Sequence, residues 1–235
     1  MKKYIATLIL MFSMLSSQSW MQSQILERTF NQAVEDYNNG NYATSLTILK
    51  KVLADEPSSF EEPALLLLLK SQVALNQLDR AKETTRVIFT KFPQTMYLVN
   101  ILETLGDLYI NESAYESAYR MYNRSRSLSS NFDLKAKIDS KLLKLITLRL
   151  PSLILDEMLI LESDKEVINI HLLAKANSDM LNGLPDDAAM NLNKIDPLFL
   201  PDIYSLLFEN LLKKSYEPPS PILMVGIVLP LSGKE

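Results

Sequence analysis

The 235-residue chain contains no cysteine, one histidine, one tryptophan and five glycines. Without cysteine there can be no disulfide, thiolate zinc site or cysteine nucleophile. A lipid on a cysteine behind a signal sequence is excluded too. Scarce glycine beside abundant leucine argues for helices over a β-sandwich. No Gly-rich phosphate loop is present. His171 has no partner at metal-ligand spacing and no nucleophile motif around a serine, so it reads as a structural or surface residue. The longest uninterrupted apolar run in the body of the chain, Ala64 to Leu69, is far shorter than the ~20 residues of a membrane span. No dense block of Lys and Arg suggests nucleic-acid binding. These absences predict a protein that is not an enzyme and uses neither cofactor nor metal.

What is there is a chain of 47% hydrophobic and 22% charged residues, enough to build one large or two small cores. Lys2 and Lys3, the apolar stretch Tyr4 to Leu15 and the small residues Ser17 and Ser19 make residues 1–19 a secretory signal peptide cut after Ser19. Export to the periplasm is the expected localisation, with the outer membrane as the alternative site there. The mature chain then has 22 basic and 28 acidic residues, a net charge of −6.

Helical periodicity begins at Ile25, with Leu26, Phe30, Ala33, Val34 and Tyr37 on one face. Gly40 suits a left-handed helix end, and Tyr42, Ser45, Leu46, Leu49, Val52 and Leu53 form a second face that Pro57 closes. The marks recur with Leu78 for Tyr42 and Ala81 for Ser45, after an all-round apolar helix from Glu61 to Leu75 that should be buried on most sides. They recur most clearly in Leu102-x-x-Leu105-Gly106-x-x-Tyr109 and Tyr115-x-x-Ala118-x-x-x-Tyr122. Gly106 and Ala118 are small where two helices meet, and Leu102, Leu105, Tyr109, Tyr115 and Tyr122 fill the space around them. This pattern resembles the tetratricopeptide repeat.

Beyond Asn131 the period blurs. Helices are expected over Asp133–Leu148, Leu153–Leu161 and Val167–Leu181, the last started by a capping box at Ser163 and Glu166. Gly183 and Ala188 repeat the turn and the small-residue slot of a degenerate repeat. Asp186 and Asp187 read as helix caps rather than as an acid pair, and Asp202–Lys214 as a capping helix. The expected fold is all-α, an antiparallel helix-hairpin solenoid over residues 20–215. A Pro-rich linker follows at 216–221, and then an apolar β-strand, Ile222 to Leu229.

The tail Val225 to Gly233 resembles the first strand and loop of type I periplasmic binding proteins, which would make Ser232 and Gly233 the remnant of a ligand loop. Residues 222–235 would then be the truncated start of an α/β domain, and the chain a fragment that binds no small molecule. Signal peptide, helical repeats, proline linker and binding-protein strand, in that order, resemble the penicillin-binding-protein activator (LpoA-like) family. That resemblance implies a periplasmic scaffold that stimulates peptidoglycan synthases, with a protein partner and no nucleic acid. Its lipid-bearing cysteine is missing here, which leaves membrane association open. The resemblance to binding proteins offers an alternative, the leader of a solute-binding protein for amino-acid-like ligands. An outer-membrane assembly protein is a third. The tetratricopeptide resemblance implies a groove lined by first helices, and maps it to Tyr37, Asn38, Lys70, Asn100, Glu103, Asp107 and Asn111. That groove is polar and amide-rich, and its positions are free of packing duty.

Overall fold

The computed structural model describes residues 21, 23–54, 59–148 and 150–216. The signal peptide, Pro57, residues 217–221 of the proline linker, the strand at 222–229, and Ser232 and Gly233 lie outside them. Among the described residues every regular element is helical. Helix α1 covers residues 23–38. It is followed by α2 (Tyr42–Val52), α3 (Glu61–Ala74), α4 (Leu78–Lys91), α5 (Leu98–Asn111), α6 (Tyr115–Leu128) and α7 (Phe132–Ile146). Then come α8 (Ser152–Leu161), α9 (Lys165–Leu181), α10 (Pro185–Leu192), two 3-10 turns (Pro197–Phe199 and Asp202–Tyr204) and α11 (Ser205–Ser215).

The helices are joined as hairpins by one recurring backbone device. Gly40, Asn76, Ser113 and Gly183 all have positive φ, between 56° and 81°. Behind each lies the same pair of hydrogen bonds. At the first turn Gly40 N–H donates to the Tyr37 carbonyl and Asn41 N–H to that of Asp36. At the second, Asn76 and Gln77 donate to Val73 and Gln72, and at the third Ser113 and Ala114 donate to Ile110 and Tyr109. At the fourth, Gly183 and Leu184 donate to Met180 and Asp179. This is the Schellman arrangement, which satisfies carbonyls a helix end would otherwise leave bare. Five positions after each turn residue stands a fully buried Ser45, Ala81, Ala118 or Ala188. The small-residue slot and the turn therefore keep one register, including in the hairpin α9–α10 where the side-chain motif had faded.

Two compact units divide the chain, residues up to Ile154 and residues from Leu155 on. In the first, α3 is flanked by α2, α4 and α5. That crowding explains why Ala64 through Leu69 are all buried, with each leucine contributing about 1.5–3 kcal/mol by leaving water. Gly106 lies against the ring of Tyr122, one of the side chains expected around that contact. A Cβ at Gly106 would overlap Cδ1 and Cε1 of that ring and stand 2.8 Å from Cζ. Tyr115, expected to fill the same contact, is 38% exposed at the start of α6. Between α6 and α7, Arg126 Nε and Nη2 donate to the two carboxylate oxygens of Asp139 at 2.5 and 3.3 Å, and both side chains are buried.

In the second unit α9 packs against α10 and α11, around Leu155, Ile170, Leu173, Leu192 and Tyr204. Its N-cap is Asp164, which accepts from the N–H groups of Glu166 and Val167. The expected capping box one residue earlier is thus corrected, because the Asp164 carboxylate, not the Ser163 hydroxyl, satisfies those donors. Asp186 and Asp187 are likewise not caps. They lie in the first turn of α10, behind Leu184 and Pro185, where they complement the positive end of the helix.

Candidate functional site

The first helices of successive hairpins come together on one side of the first unit, where α3 packs directly on α5. There a cavity of about 340 Å³ is lined from four helices. Tyr37 comes from α1, Lys70 from α3, Glu103, Asp107 and Asn111 from α5, and Lys137 from α7. Val73, Ala74 and Ile110 add apolar wall. Helical spacing explains the gathering. Glu103 and Asp107 are four residues apart and share a face of α5, as Lys137 and Lys141 do on α7.

The two faces are complementary. Lys137 Nζ lies 2.7 Å and Lys141 Nζ 2.6 Å from the same oxygen of Glu103. Lys141 also lies 2.7 Å from both oxygens of Asp107. The Tyr122 hydroxyl on α6 donates to Asp107 at 2.6 Å, and Lys141 stands 5.5 Å from the centre of the Tyr122 ring. Glu103 is only 2% exposed. Burial pushes its carboxyl up, but Lys137 and Lys141 outweigh that effect and hold it below the ordinary value, so it is ionised near neutrality. Burial first, and then the charge of Asp107, pushes the Tyr122 phenol up and keeps it a donor. Lys70 is pulled down by burial and by Lys137 and Lys141, against the opposing pull of Glu103 and Asp107.

Five of the mapped groove residues, Tyr37, Lys70, Glu103, Asp107 and Asn111, therefore line one cavity. Asn38 is exposed outside it, and the backbone of Asn100 accepts from the Thr104 hydroxyl. The expectation that these positions are free of packing duty does not hold. Asn111 Nδ2 donates to the Val73 carbonyl at 3.2 Å and ties α5 to α3, while Glu103 and Asp107 carry the ion pairs to α7. Nor is the lining amide-rich, because its polarity comes from two carboxylates and their lysines. Lys137 and Lys141 were missed because the repeat period blurs after Asn131. The signal was present as a second pair of charges at four-residue spacing and of opposite sign.

His171 is 1% exposed within α9, and burial lowers its pKa to about 4. It is a neutral core residue of the second unit. Among the described residues no group of three or more His, Asp or Glu is placed to hold a metal ion, and no helix is long and apolar enough to cross a membrane. No family model matches the chain, and neither a curated protein nor a solved structure matches it.

Proposed function

We propose that this chain is an exported, non-enzymatic scaffold of tetratricopeptide-like hairpins that holds a protein partner on its first helices. Its specific role on this reading is the N-terminal part of an activator of peptidoglycan synthases in the periplasm. The observation that carries the scaffold reading is the cavity fed by α1, α3, α5 and α7. An extended polypeptide laid across it meets one set of side chains from each successive hairpin. The recurring turn and small-residue register supports the tetratricopeptide likeness, since it places equivalent residues at equal steps along such a path. Ionised Glu103, its paired lysines and a protonated tyrosine suit hydrogen bonding to a peptide. They offer neither a poised nucleophile nor a base near its working pKa. The N-terminal basic and apolar residues support export.

The experiment is direct binding of the chain, lacking residues 1–19, to a purified bifunctional peptidoglycan synthase, with glycan polymerisation as a second readout. Micromolar or tighter binding with stimulated polymerisation is the expected outcome. No binding at tens of micromolar protein would remove the activator role.

A further inference from the structure

We propose that Asn39 is a site of spontaneous deamidation to isoaspartate, gated by the turn between α1 and α2, and that its conversion unlatches the first hairpin. Two of the five glycines directly follow an asparagine, Gly40 after Asn39 and Gly183 after Asn182. Before glycine a backbone nitrogen reaches a side-chain amide most easily, because no Cβ crowds the approach. At both glycines nothing lies within 4 Å of the place a Cβ would take. The Gly40 nitrogen attacks Cγ of Asn39, the new N–Cγ bond closes a succinimide ring, and the Cγ–Nδ2 bond breaks. Ammonia leaves with the proton of the attacking nitrogen. Water then opens the ring, at Cγ to give aspartate or at the main-chain carbonyl to give isoaspartate. An amide and a water become a carboxylate and an ammonium ion, with no redox step.

Both Asn-Gly pairs occupy the same Schellman turn, so local sequence and local geometry alone would age them alike. The closed turn restrains the reaction, since Gly40 N–H is held by the Tyr37 carbonyl at 3.0 Å and Gly183 N–H by that of Met180 at 3.1 Å. Conversion therefore waits for the turn to open, and opening is easier where a helix has few buried contacts. Here the two sites differ. Within residues 23–38 of α1 only Ala33 is buried, whereas eleven residues of α9 are. Exposed Asn39 donates its N–H to the Glu35 carbonyl at 3.0 Å. Asn182 N–H is shared between the carbonyls of Ser178 and Asp179, at 3.0 and 3.1 Å. Asn39 is thus the faster site.

The product cannot re-form the turn. Isoaspartate routes the main chain through Cβ, which inserts an extra backbone atom ahead of Gly40. The donors on Gly40 and Asn41 are then carried off the carbonyls of Tyr37 and Asp36. The new carboxylate stands at the C-terminal end of α1, where the helix dipole disfavours negative charge. The same turn sets the rings of Tyr37 and Tyr42 5.2 Å apart, and Tyr37 forms the α1 wall of the cavity. Ageing at Asn39 therefore loosens that wall.

The test incubates the full chain at mildly alkaline pH, which eases loss of the amide proton, and follows both sites by peptide mapping with mass spectrometry. Isoaspartate is counted separately by methylation with a protein isoaspartyl methyltransferase and S-adenosylmethionine. Position 39 should convert several-fold faster than position 182 in the folded chain, and at the same rate in concentrated urea. A free peptide of residues 35–45 should convert about tenfold or more faster than position 39 of the folded chain. The aged chain should melt at a lower temperature by circular dichroism. Asn39→Gln, whose longer side chain closes the ring far more slowly, should keep its melting temperature through the same incubation. Freshly prepared Asn39→Asp, which adds the charge without lengthening the backbone, should lose less than the isoaspartyl chain. Equal or faster conversion at position 182 in the folded chain, or a ratio that persists unchanged in urea, would overturn the proposal. So would a peptide no faster than the folded chain, or an isoaspartyl chain as stable as its parent.

Discussion

Gly106 couples the packing of α5 and α6 to the charges of the cavity. The ring of Tyr122 occupies the space a Cβ would take, and the same ring carries the hydroxyl that donates to Asp107. In an isolated helix Gly→Ala is favourable by about 1 kcal/mol. Here the added methyl displaces a buried ring and its hydrogen bond, an overpacking cost of about 1–3 kcal/mol with a further ~1 kcal/mol for the lost bond. Gly106→Ala should therefore lower the melting temperature followed by circular dichroism. An unchanged or raised value would mean that the ring moves aside freely. The glycine itself was legible from the Leu-Gly spacing. Tyr122 was legible as one of the five side chains around it, but the spacing does not say that its ring, rather than that of the exposed Tyr115, fills the gap. Lys141 is a parallel case, since its role emerges only when α7 is laid against Glu103 and Asp107.

At the scale of the element, the hairpin turns share one backbone conformation but not one residue. Glycine fills it at positions 40 and 183, whereas Asn76 and Ser113 adopt it with side chains. A left-handed conformation strains a residue with a Cβ by about 1–2 kcal/mol, and asparagine tolerates it better than serine. Ser113→Gly should raise stability by about 0.5–1 kcal/mol in urea denaturation, and Gly40→Ala should lower it by a similar amount. If both changes destabilise, contacts of the serine side chain matter more than the dihedral. Position 113 could have been aligned with 40 and 76 from sequence, since they stand 36 and 37 residues apart. Serine is too common in ordinary turns for that alignment to stand out. The helices were more readable, because apolar faces at three- and four-residue spacing persist where motif residues do not. Their first turns were less so, as Asp164 shows by capping α9 in place of Ser163.

At the scale of the whole molecule, the two compact units should respond differently to acid. His171, in the second unit, has a folded pKa of about 4 against an ordinary 6.5. Below 6.5 the unfolded chain takes up a proton that the folded site refuses. The stability is present above 6.5 and is lost as pH falls towards 4, on the order of 3 kcal/mol in all. Glu103, in the first unit, is held below its ordinary 4.5, so its contribution persists above 4.5 and is lost only under stronger acid. Amide exchange corrected for intrinsic rates should show α9 losing protection between pH 7 and 5 while α5 keeps it. Asp179 is shifted up by burial and acts in the opposite sense, so the comparison is made with His171→Gln. That variant should flatten the response of α9. Equal loss in both helices, or an unaltered response in the variant, would contradict the assignment. The lone histidine was visible from composition, but its burial depends on tertiary packing around α9.

The repetition of one turn has a consequence for how such a chain changes length. Because the residues behind positions 40, 76 and 113 make the same pair of backbone hydrogen bonds, any one of these joints can be exchanged for another without new bonding. A duplication or excision that begins and ends at equivalent joints splices like to like. One of any other size leaves a helix end with unanswered carbonyls. Natural variation in the length of this array is therefore expected to be quantised, in steps of one hairpin.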